Sequence, residues 1–279
     1  MHTTLVSPSE LAAHLDDPRW IVFDCRFDLA DTGAGRRDYA QSHIAGARYL
    51  HLDDDLAGAK TGANGRHPLP DPQAFASKLA KLGLSAGMQA VAYDASGGFY
   101  AARLWWMLRW VGHTASAVLD GGWNAWLAAG LPVTPQLPAV AAGNFSGTAH
   151  PLSVDADFVL GRMGQAGNLV IDARSPDRFR GENETLDPVG GHIPGAANRF
   201  FKANLAPGGS FKPSAELRGE FTGLIGATAP ASVVHQCGSG VTACHNLLAM
   251  EIAGLTGSKL YPGSWSEWCS DPQRPIARQ

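Results

Sequence analysis

The chain has 279 residues, of which 45% are hydrophobic and 17% are charged, and its formal net charge at pH 7 is −3. This composition supports a sizeable core and excludes a disordered protein, which would combine low hydrophobicity with high net charge. No basic stripe is present, so binding of nucleic acid through neutralised phosphates is not expected. The length allows one large domain or two domains of ordinary size.

The N-terminal sequence and the spacing of the cysteines both predict a cytoplasmic protein that does not bind a membrane. No apolar run approaches the roughly 20 residues that a membrane helix needs, and the N-terminus lacks the basic and apolar segments of a signal peptide. A disulfide framework is not expected in that compartment. The spacings match no zinc pattern for the four cysteines, which are Cys25, Cys237, Cys244 and Cys269.

Taken in chain order, the predicted elements repeat. IVFDCR (21–26) resembles LVIDAR (169–174), and each is a short apolar run, typical of a buried strand, that ends in Asp-x-Arg. Three more pairs follow in the same order at a nearly constant offset: HIAGA (43–47) with GHIPGA (191–196), AVAYDASGG (90–98) with SVVHQCGSG (232–240), and LDGGWNAW (119–126) with YPGSWSEW (261–268). Four ordered landmarks predict two homologous domains joined head to tail.

The predicted boundaries follow from this repeat. Residues 1–134 form the first domain, the proline-rich and weakly charged segment 135–151 is the linker, and residues 152–279 form the second domain. Within each half, strand-like runs alternate with helical patterns such as AFASKLAKLG (74–83) and ACHNLLAMEIAG (243–254). This alternation predicts the α/β class, with a parallel sheet flanked by helices on both faces in each domain. Ligands collect at the carboxyl ends of the strands in such sheets.

The second domain carries a candidate nucleophile between a predicted strand, ASVVHQ (231–236), and a predicted helix. The glycines of the intervening loop allow its N–H groups to point inward as an anion-binding nest, and the helix N-terminus adds partial positive charge. Both effects favour a thiolate, which suits attack on an electrophilic sulfur and would leave a persulfide in the same nest. The loop consists of Cys237, Gly238, Ser239, Gly240, Val241 and Thr242.

The first domain holds Asp94 at the position of Cys237. A carboxylate cannot carry sulfur, so only the second domain is predicted to be catalytic. The alternative for Cys237 is that of most lone cysteines, a small buried hydrophobic residue. His43 and His192 recur once in each domain and are therefore predicted to be structural. His235 shares a strand face with Cys237, and we predict a satisfied strand histidine rather than a base.

CGSGVTA (237–243), the paired HIAGA and GHIPGA boxes, DGGWNAW and GSWSEW resemble the tandem-domain rhodanese-like sulfurtransferases over nearly the whole chain. The resemblance implies two α/β domains with the active site in the cleft between them. It implies double displacement: the cysteine takes a sulfane sulfur from a donor as a persulfide and passes it to cyanide or a thiol. It implies no metal or organic cofactor. The expected partners are a small sulfur donor and a thiophilic acceptor, and a thiol protein as reductant is left open.

The resemblance divides over the sulfur donor. Thiosulfate sulfurtransferases of this family typically carry basic residues directly after the cysteine, whereas mercaptopyruvate sulfurtransferases resemble the CGSGVT found here. With 3-mercaptopyruvate as donor, the Ser239 hydroxyl of this chain is expected to relay a proton to or from the substrate. Phe99 and Tyr100 instead resemble the aromatic pair that lines the pocket of the thiosulfate group. We therefore expect 3-mercaptopyruvate as the favoured donor and thiosulfate as the alternative.

Two arginines grip the substrate carboxylate in the resembling mercaptopyruvate enzymes. Arg178 matches the first, but the second, nine positions later, corresponds to Asp187 here. An aspartate cannot replace a bidentate arginine, and Arg180 is a candidate to compensate. Asp53 and His67 match positions that reach across the cleft, with His67 as proton relay or electrostatic partner.

Two rival functions share parts of this pattern, and the sequence disfavours the first of them. A cysteine-dependent phosphatase needs an arginine six residues after the cysteine, where this chain has Ala243. A persulfide carrier that works only with a protein partner is harder to exclude, because it would keep Cys237 in a complete loop. An inactive interaction module would not need the cysteine.

Overall fold

The Asp-x-Arg repeats end inner strands of two separate parallel sheets in the computed structural model, which describes residues 1–278. Each sheet belongs to its own compact unit. The N-terminal unit comprises Met1–Gly58, Leu69–His150 and Pro207–Ser210. The C-terminal unit comprises Ala59–Pro68, Pro151–Ala206 and the chain from Phe211 onwards.

The N-terminal unit contains a five-stranded parallel sheet in the order β1-β6-β5-β2-β4 and an antiparallel pair, β3-β7. Its strands are β1 (Leu5–Val6), β2 (Trp20–Asp24), β3 (His43–Ile44), β4 (Arg48–Tyr49), β5 (Gln89–Tyr93), β6 (Ser116–Leu119) and β7 (Val133–Thr134). Its helices are α1 (Pro8–Ala12), α2 (Ala34–Gln41), α3 (Leu52–Asp55), α4 (Pro72–Lys81), α5 (Phe99–Trp110) and α6 (Gly122–Ala128).

The C-terminal unit contains a four-stranded sheet in the order β11-β10-β8-β9, and all of its pairs are parallel. Its strands are β8 (Leu169–Asp172), β9 (Ala197–Asn198), β10 (Val233–Gln236) and β11 (Lys259–Leu260). Its α-helices are α7 (Ala156–Arg162), α8 (Pro176–Arg180), α9 (Ser214–Ile225), α10 (Ala243–Ile252) and α11 (Ser264–Trp268). The predicted fold class, two α/β domains with parallel sheets and crossover helices, is confirmed.

Local sequence signals explain where several helices begin. Asp71 accepts a hydrogen bond from the N–H of Ala74 at 2.8 Å, and Asp155 does the same for Phe158 at 2.8 Å. Each carboxylate satisfies an N–H group that the first turn of the helix leaves without a partner. Pro72 occupies the first position of α4, where a missing N–H costs nothing.

The Asp-x-Arg repeat builds a buried ion pair beneath a tryptophan. In the N-terminal unit, Nη2 of Arg26 donates to Asp24 at 2.6 Å and to the carbonyl of Ser42 at 2.7 Å. The guanidinium carbon lies 4.3 Å from the ring centroid of Trp123. The pair therefore joins the end of β2 to the segment before β3 and to α6, which explains why these three motifs are repeated together.

The C-terminal unit repeats this arrangement. Nη2 of Arg174 donates to Asp172 at 2.6 Å and to the carbonyl of Gly191 at 2.7 Å. Its guanidinium carbon lies 4.6 Å from the ring centroid of Trp265 on α11. The internal repeat in the sequence is thus a repeat of one set of tertiary contacts.

The two repeated histidines make local structural contacts. Nδ1 of His43 lies 2.7 Å from the carbonyl oxygen of Tyr39, and the two rings stack at 4.0 Å. Nδ1 of His192 lies 2.9 Å from the carbonyl oxygen of Phe179, with rings stacked at 3.8 Å. Equivalent contacts in both units support the predicted structural role.

The units differ from the predicted domain boundaries at three places, of which the shortest is residues 207–210 in the N-terminal unit. Residues 59–68 group with the C-terminal unit, although they precede most of the N-terminal unit in sequence. Residues 135–150, predicted as linker, group with the N-terminal unit because their backbone is hydrogen-bonded to it. The N–H of Gly143 donates to the carbonyl of Ala80 at 2.7 Å, for example. Within residues 1–278, no helix combines the length and apolar character needed to cross a membrane.

We expect Asp24→Ala to lower the free energy of unfolding by about 3–5 kcal/mol, because it leaves the Arg26 guanidinium buried without its counter-charge. The matched control is Asp17→Ala, whose partner Arg19 has a side chain that is 82% exposed, and which should change stability little. Urea unfolding followed by tryptophan fluorescence measures both. Equal effects of the two substitutions would contradict the structural role of the buried pair.

Candidate active site

Cys237 lies where the sequence places it, directly after β10 and before α10. Its side chain is buried. The backbone around it is fixed by α11: the Cys237 N–H donates to Oγ of Ser264 at 3.1 Å, and the Trp265 N–H donates to the Cys237 carbonyl at 3.0 Å. The cysteine therefore sits at the carboxyl end of an inner strand in a tightly held backbone.

The loop after Cys237 requires glycine at position 240. Gly240 has φ +77°, which is unfavourable for residues with a side chain. A methyl group there would also lie 2.4 Å from the carbonyl oxygen of Pro262. The loop is thus packed backbone to backbone against the segment before α11.

Several loop N–H groups have no protein acceptor. Within residues 1–278, the N–H groups of Ser239 and Val241 donate no hydrogen bond. The preceding Gly238 carbonyl group does have a partner, because it accepts a hydrogen bond from the Ser266 N–H at 2.9 Å. Donors without acceptors in a fixed loop form a site for an anion.

The N-terminal unit shows where this type of loop directs its donors. The Asp94 carboxylate accepts hydrogen bonds from the N–H groups of Ser96 (2.7 Å), Gly98 (2.9 Å), Tyr100 (2.9 Å) and Ala101 (2.9 Å). Each carboxylate oxygen receives two donors, which fits the ionised form, whereas burial raises the pKa of this carboxyl group. By the sequence repeat, Ser96 and Gly98 correspond to Ser239 and Val241. The loop is therefore an anion nest, which Asp94 fills with its own side chain.

Ser239 and His67 are in direct contact. Oγ of Ser239 lies 2.7 Å from Nδ1 of His67, and both side chains are buried. His67 was expected to reach the site from the first domain, but its segment groups with the C-terminal unit. The structure thus brings these two predicted site residues together beside the Cys237 loop.

Arg178 lies in the last turn of α8 and faces the loop. A methyl group at Gly238 would be 3.4 Å from Nη2 of Arg178. Glu184 holds this arginine, with Nε donating at 3.1 Å and Nη2 at 2.8 Å. The predicted anion anchor is therefore adjacent to the residue that follows Cys237.

Sequence reasoning missed Arg66. A methyl group at Gly238 would lie 2.8 Å from its Nη2, so this arginine also approaches the loop. It forms an ion pair with the buried carboxylate of Asp187. The sequence offered only the unexplained Asp187 and the position of Arg66 directly before His67, because the burial of Asp187, which calls for a cation, is set by the fold.

Arg180 does not take the place of a second arginine. Its Nε and Nη2 donate to Glu182 at 2.8 Å each, in an exposed pair. Burial raises the pKa of Asp187, whereas its contact with Arg66 lowers it. Asp187 is thus an acid that contacts both Arg66 and Arg178.

Three predicted site residues lie in the N-terminal unit, and their roles stay predictions. Asp53 is in α3, and Phe99 is the first residue of α5. Tyr100 is buried, and its ring centroid lies 5.4 Å from that of Phe27. Burial raises the pKa of the Tyr100 hydroxyl, so the phenol stays protonated at neutral pH.

His235 and the three other cysteines are buried in the cores of their own units. Nε2 of His235 lies 3.1 Å from the sulfur of Met250, and burial lowers the pKa of His235 to about 3, which keeps the ring neutral. Burial also raises the pKa of Cys25, and it raises that of Cys269 to about 11. Those thiols stay protonated at neutral pH, and Cys244 donates to the Gly240 carbonyl at 3.3 Å.

Comparison with known proteins agrees with this architecture. The profile of the rhodanese-like domain family matches the chain twice, at residues 7–129 and 155–271. A probable 3-mercaptopyruvate sulfurtransferase from Pseudomonas aeruginosa is 46% identical over 276 residues, which cover 98% of this chain and 97% of that protein. A thiosulfate sulfurtransferase from Azotobacter vinelandii is 34% identical over 273 residues, which cover 98% of this chain and 96% of the relative.

A solved structure gives the same result. The crystal structure of SseA from Escherichia coli, a 3-mercaptopyruvate sulfotransferase with the rhodanese fold, superposes with a TM-score of 0.82 at 31% sequence identity. The match covers 95% of this chain and 99% of that one. The likeness therefore extends over both units.

We expect Asp94→Ala to lower the free energy of unfolding by about 3 kcal/mol or more, because four backbone donors lose a charged acceptor and each such bond is worth about 1.5–3 kcal/mol. Asp28→Ala is the control, since the exposed Asp28 carboxylate accepts one local bond, from the Ala30 N–H. Urea unfolding compares the two variants. A loss for Asp94→Ala no larger than that of the control would contradict the nest.

Proposed function

The chain belongs to the rhodanese-like domain family and is a sulfurtransferase, and we propose that it moves a sulfane sulfur from 3-mercaptopyruvate through a persulfide on Cys237. The persulfide then passes its outer sulfur to a thiophilic acceptor such as cyanide or a thiol. The observation that carries the proposal is the Cys237 loop, whose Ser239 and Val241 N–H groups lack acceptors while the equivalent loop surrounds the Asp94 carboxylate.

The first half-reaction needs a thiolate and a route for one proton. The Cys237 thiolate attacks the donor sulfur and forms the S–S bond, while the C–S bond of 3-mercaptopyruvate breaks. Its electron pair stays on the carbon, which becomes the enolate of pyruvate. The proton of the donor thiol ends on that carbon, so the products are pyruvate and an anionic persulfide. Ser239, in contact with His67 at 2.7 Å, is positioned to carry this proton.

The nest accounts for the stability of the intermediate. A persulfide carries its negative charge on the outer sulfur, one bond beyond the Cys237 Sγ atom. Fixed N–H donors stabilise such a charge without reorganising. The Asp94 carboxylate is likewise an anionic group carried on a short side chain from the same loop position. In the second half-reaction, the acceptor attacks the outer sulfur and Cys237 leaves as the thiolate.

Three considerations support 3-mercaptopyruvate as the donor. The residues after Cys237 are the uncharged Gly238 and Ser239, a hydroxyl touches an imidazole beside the loop, and the relative from Pseudomonas aeruginosa is named for this activity. Thiosulfate is the second candidate. It is favoured by the guanidinium groups of Arg66 and Arg178 near Gly238, which suit a dianion, and by the name of the relative from Azotobacter vinelandii.

A persulfide carrier that hands its sulfur to a thiol protein is the remaining alternative. It would form the same Cys237 persulfide but transfer it slowly to small acceptors. Turnover with cyanide therefore separates an enzyme acting on small molecules from a carrier.

Cys237→Ser should abolish sulfur transfer from 3-mercaptopyruvate to cyanide, because the hydroxyl cannot form a persulfide. Mass spectrometry of the wild-type protein after exposure to the donor without an acceptor should show the addition of one sulfur atom on the peptide that contains Cys237. Cys25→Ala is the matched control, because it removes another buried thiol and should retain activity. Transfer by Cys237→Ser would refute the assignment of the nucleophile.

Ser239→Ala should distinguish the two donors. Release of pyruvate from 3-mercaptopyruvate needs a proton on carbon, whereas release of sulfite from thiosulfate needs none. We therefore expect kcat with 3-mercaptopyruvate to fall by about 10²–10⁴-fold and kcat with thiosulfate to change little. Steady-state kinetics with both donors and cyanide measure this. Equal losses would contradict a proton relay through Ser239, and higher wild-type kcat/KM for thiosulfate would overturn the donor preference.

A further inference from the structure

We propose that Arg66 is the second guanidinium that binds the carboxylate of the donor together with Arg178, and that Asp187 is the positioning residue that aims Arg66 at the Cys237 loop. The proposal rests on the proposed function for the identity of the donor. It assigns a binding role to a residue from the 59–68 segment, and it explains why an acid stands nine residues after Arg178.

The two arginines approach the same glycine, Gly238, from within the C-terminal unit. A methyl group on Gly238 would lie 2.8 Å from Nη2 of Arg66, 3.4 Å from Nη2 of Arg178 and 3.7 Å from Nη1 of Arg178. Gly238 directly follows Cys237. The two guanidinium groups therefore lie side by side next to the residue that follows the nucleophile.

Each guanidinium group keeps donors for a ligand. Arg66 uses Nη1 for Asp187, and across residues 1–278 its Nη2 donates no hydrogen bond. Arg178 uses Nε and Nη2 for Glu184, and over the same residues its Nη1 donates none. The side chains of Arg66 and Arg178 are 29% and 20% exposed, so a solute can reach them. A carboxylate pairs well with two such donors.

The acids behind the arginines hold them in place. The side chains of Glu184 and Asp187 are each only 3% exposed. Asp187 lies between the two cations: Oδ1 accepts from Arg66, and Oδ2 is 3.5 Å from Nη2 of Arg178. A buried carboxylate that contacts both guanidinium groups fixes their separation, which gives a preorganised clamp for a second carboxylate.

The backbone of Arg66 is tied to the loop through one serine. The Arg66 N–H donates to Oγ of Ser266 at 3.0 Å, and the Ser266 N–H donates to the Gly238 carbonyl at 2.9 Å. The next residue, His67, contacts Ser239. The 59–68 segment thus places a cation and an imidazole on two consecutive residues of the Cys237 loop.

Substitution of Arg66 should weaken binding more than it slows chemistry. With 3-mercaptopyruvate and cyanide, Arg66→Met should raise KM by about 10–100-fold with kcat nearly unchanged, because a charged hydrogen bond is lost from both ground and transition states. Arg66→Lys should recover part of the loss. Arg180→Met is the matched control, since its guanidinium is held by Glu182 at the surface, and it should behave as wild type.

Two further variants separate positioning from direct binding and from misfolding. Asp187→Asn should also raise KM, because Arg66 loses its anchor. A lowered KM would mean that Asp187 competes with the donor carboxylate, and it would overturn the positioning role. The single substitution Arg66→Asp should abolish carboxylate binding, and adding Asp187→Arg should restore it at least in part, because the cation returns to the same pair. Failure of the double variant, when it folds with wild-type stability, counts against the clamp.

Binding of pyruvate, measured by ligand-observed NMR, tests the clamp without turnover. Wild-type protein should bind pyruvate about 10–100-fold more tightly than Arg66→Met. If the wild type uses thiosulfate but not 3-mercaptopyruvate, the donor assignment fails, and the pyruvate comparison still decides the role of Arg66. Unchanged pyruvate affinity and unchanged KM for both donors in Arg66→Met would overturn the inference.

Discussion

Backbone N–H groups that converge after a parallel strand are the constraint on which this site depends. The loop that holds them needs the positive φ of Gly240 and a close approach to Pro262, so its shape is set by packing and not by the side chain at its start. Asp94 shows that an equivalent loop binds an anion on its own first residue. Under the proposed function, a thiol in place of that carboxylate makes the structural anion site a place where negative sulfur is stabilised.

A second level of organisation comes from buried charges. Two acids, Glu184 and Asp187, hold two arginines beside Gly238 and leave part of each guanidinium group open. Buried ion pairs seldom add much stability, because desolvation offsets their attraction. Here they fix the geometry of side chains that would otherwise be flexible. The cost of burying the acids is offset by a clamp that needs little reordering when a carboxylate arrives.

The sequence predicted the parts of this molecule that obey local rules. The fold class and the Cys237 loop were predicted from the strand-like runs before Cys237 and after Trp20 and from the glycine-rich turns that precede helices. Long-range contacts could not be predicted, because nothing in the local sequence pattern indicates that residues 59–68 join the C-terminal unit. Arg66 was missed for that reason, since a surface-like arginine in a glycine-rich stretch acquires its role only through contact with Asp187, far along the chain.

Because the nest around Asp94 is already filled, the proposed sulfur loading of Cys237 would affect the two halves of the chain differently. The N-terminal loop contains its anion permanently, so its donors stay satisfied at every stage of turnover. The Cys237 loop would gain its acceptor only while a persulfide is present. The persulfide then supplies a charged hydrogen-bond acceptor in one unit alone and stabilises the fold of that unit. Amide hydrogen exchange in residues 237–242 should therefore slow on loading, while exchange in residues 94–99 stays constant and serves as an internal reference.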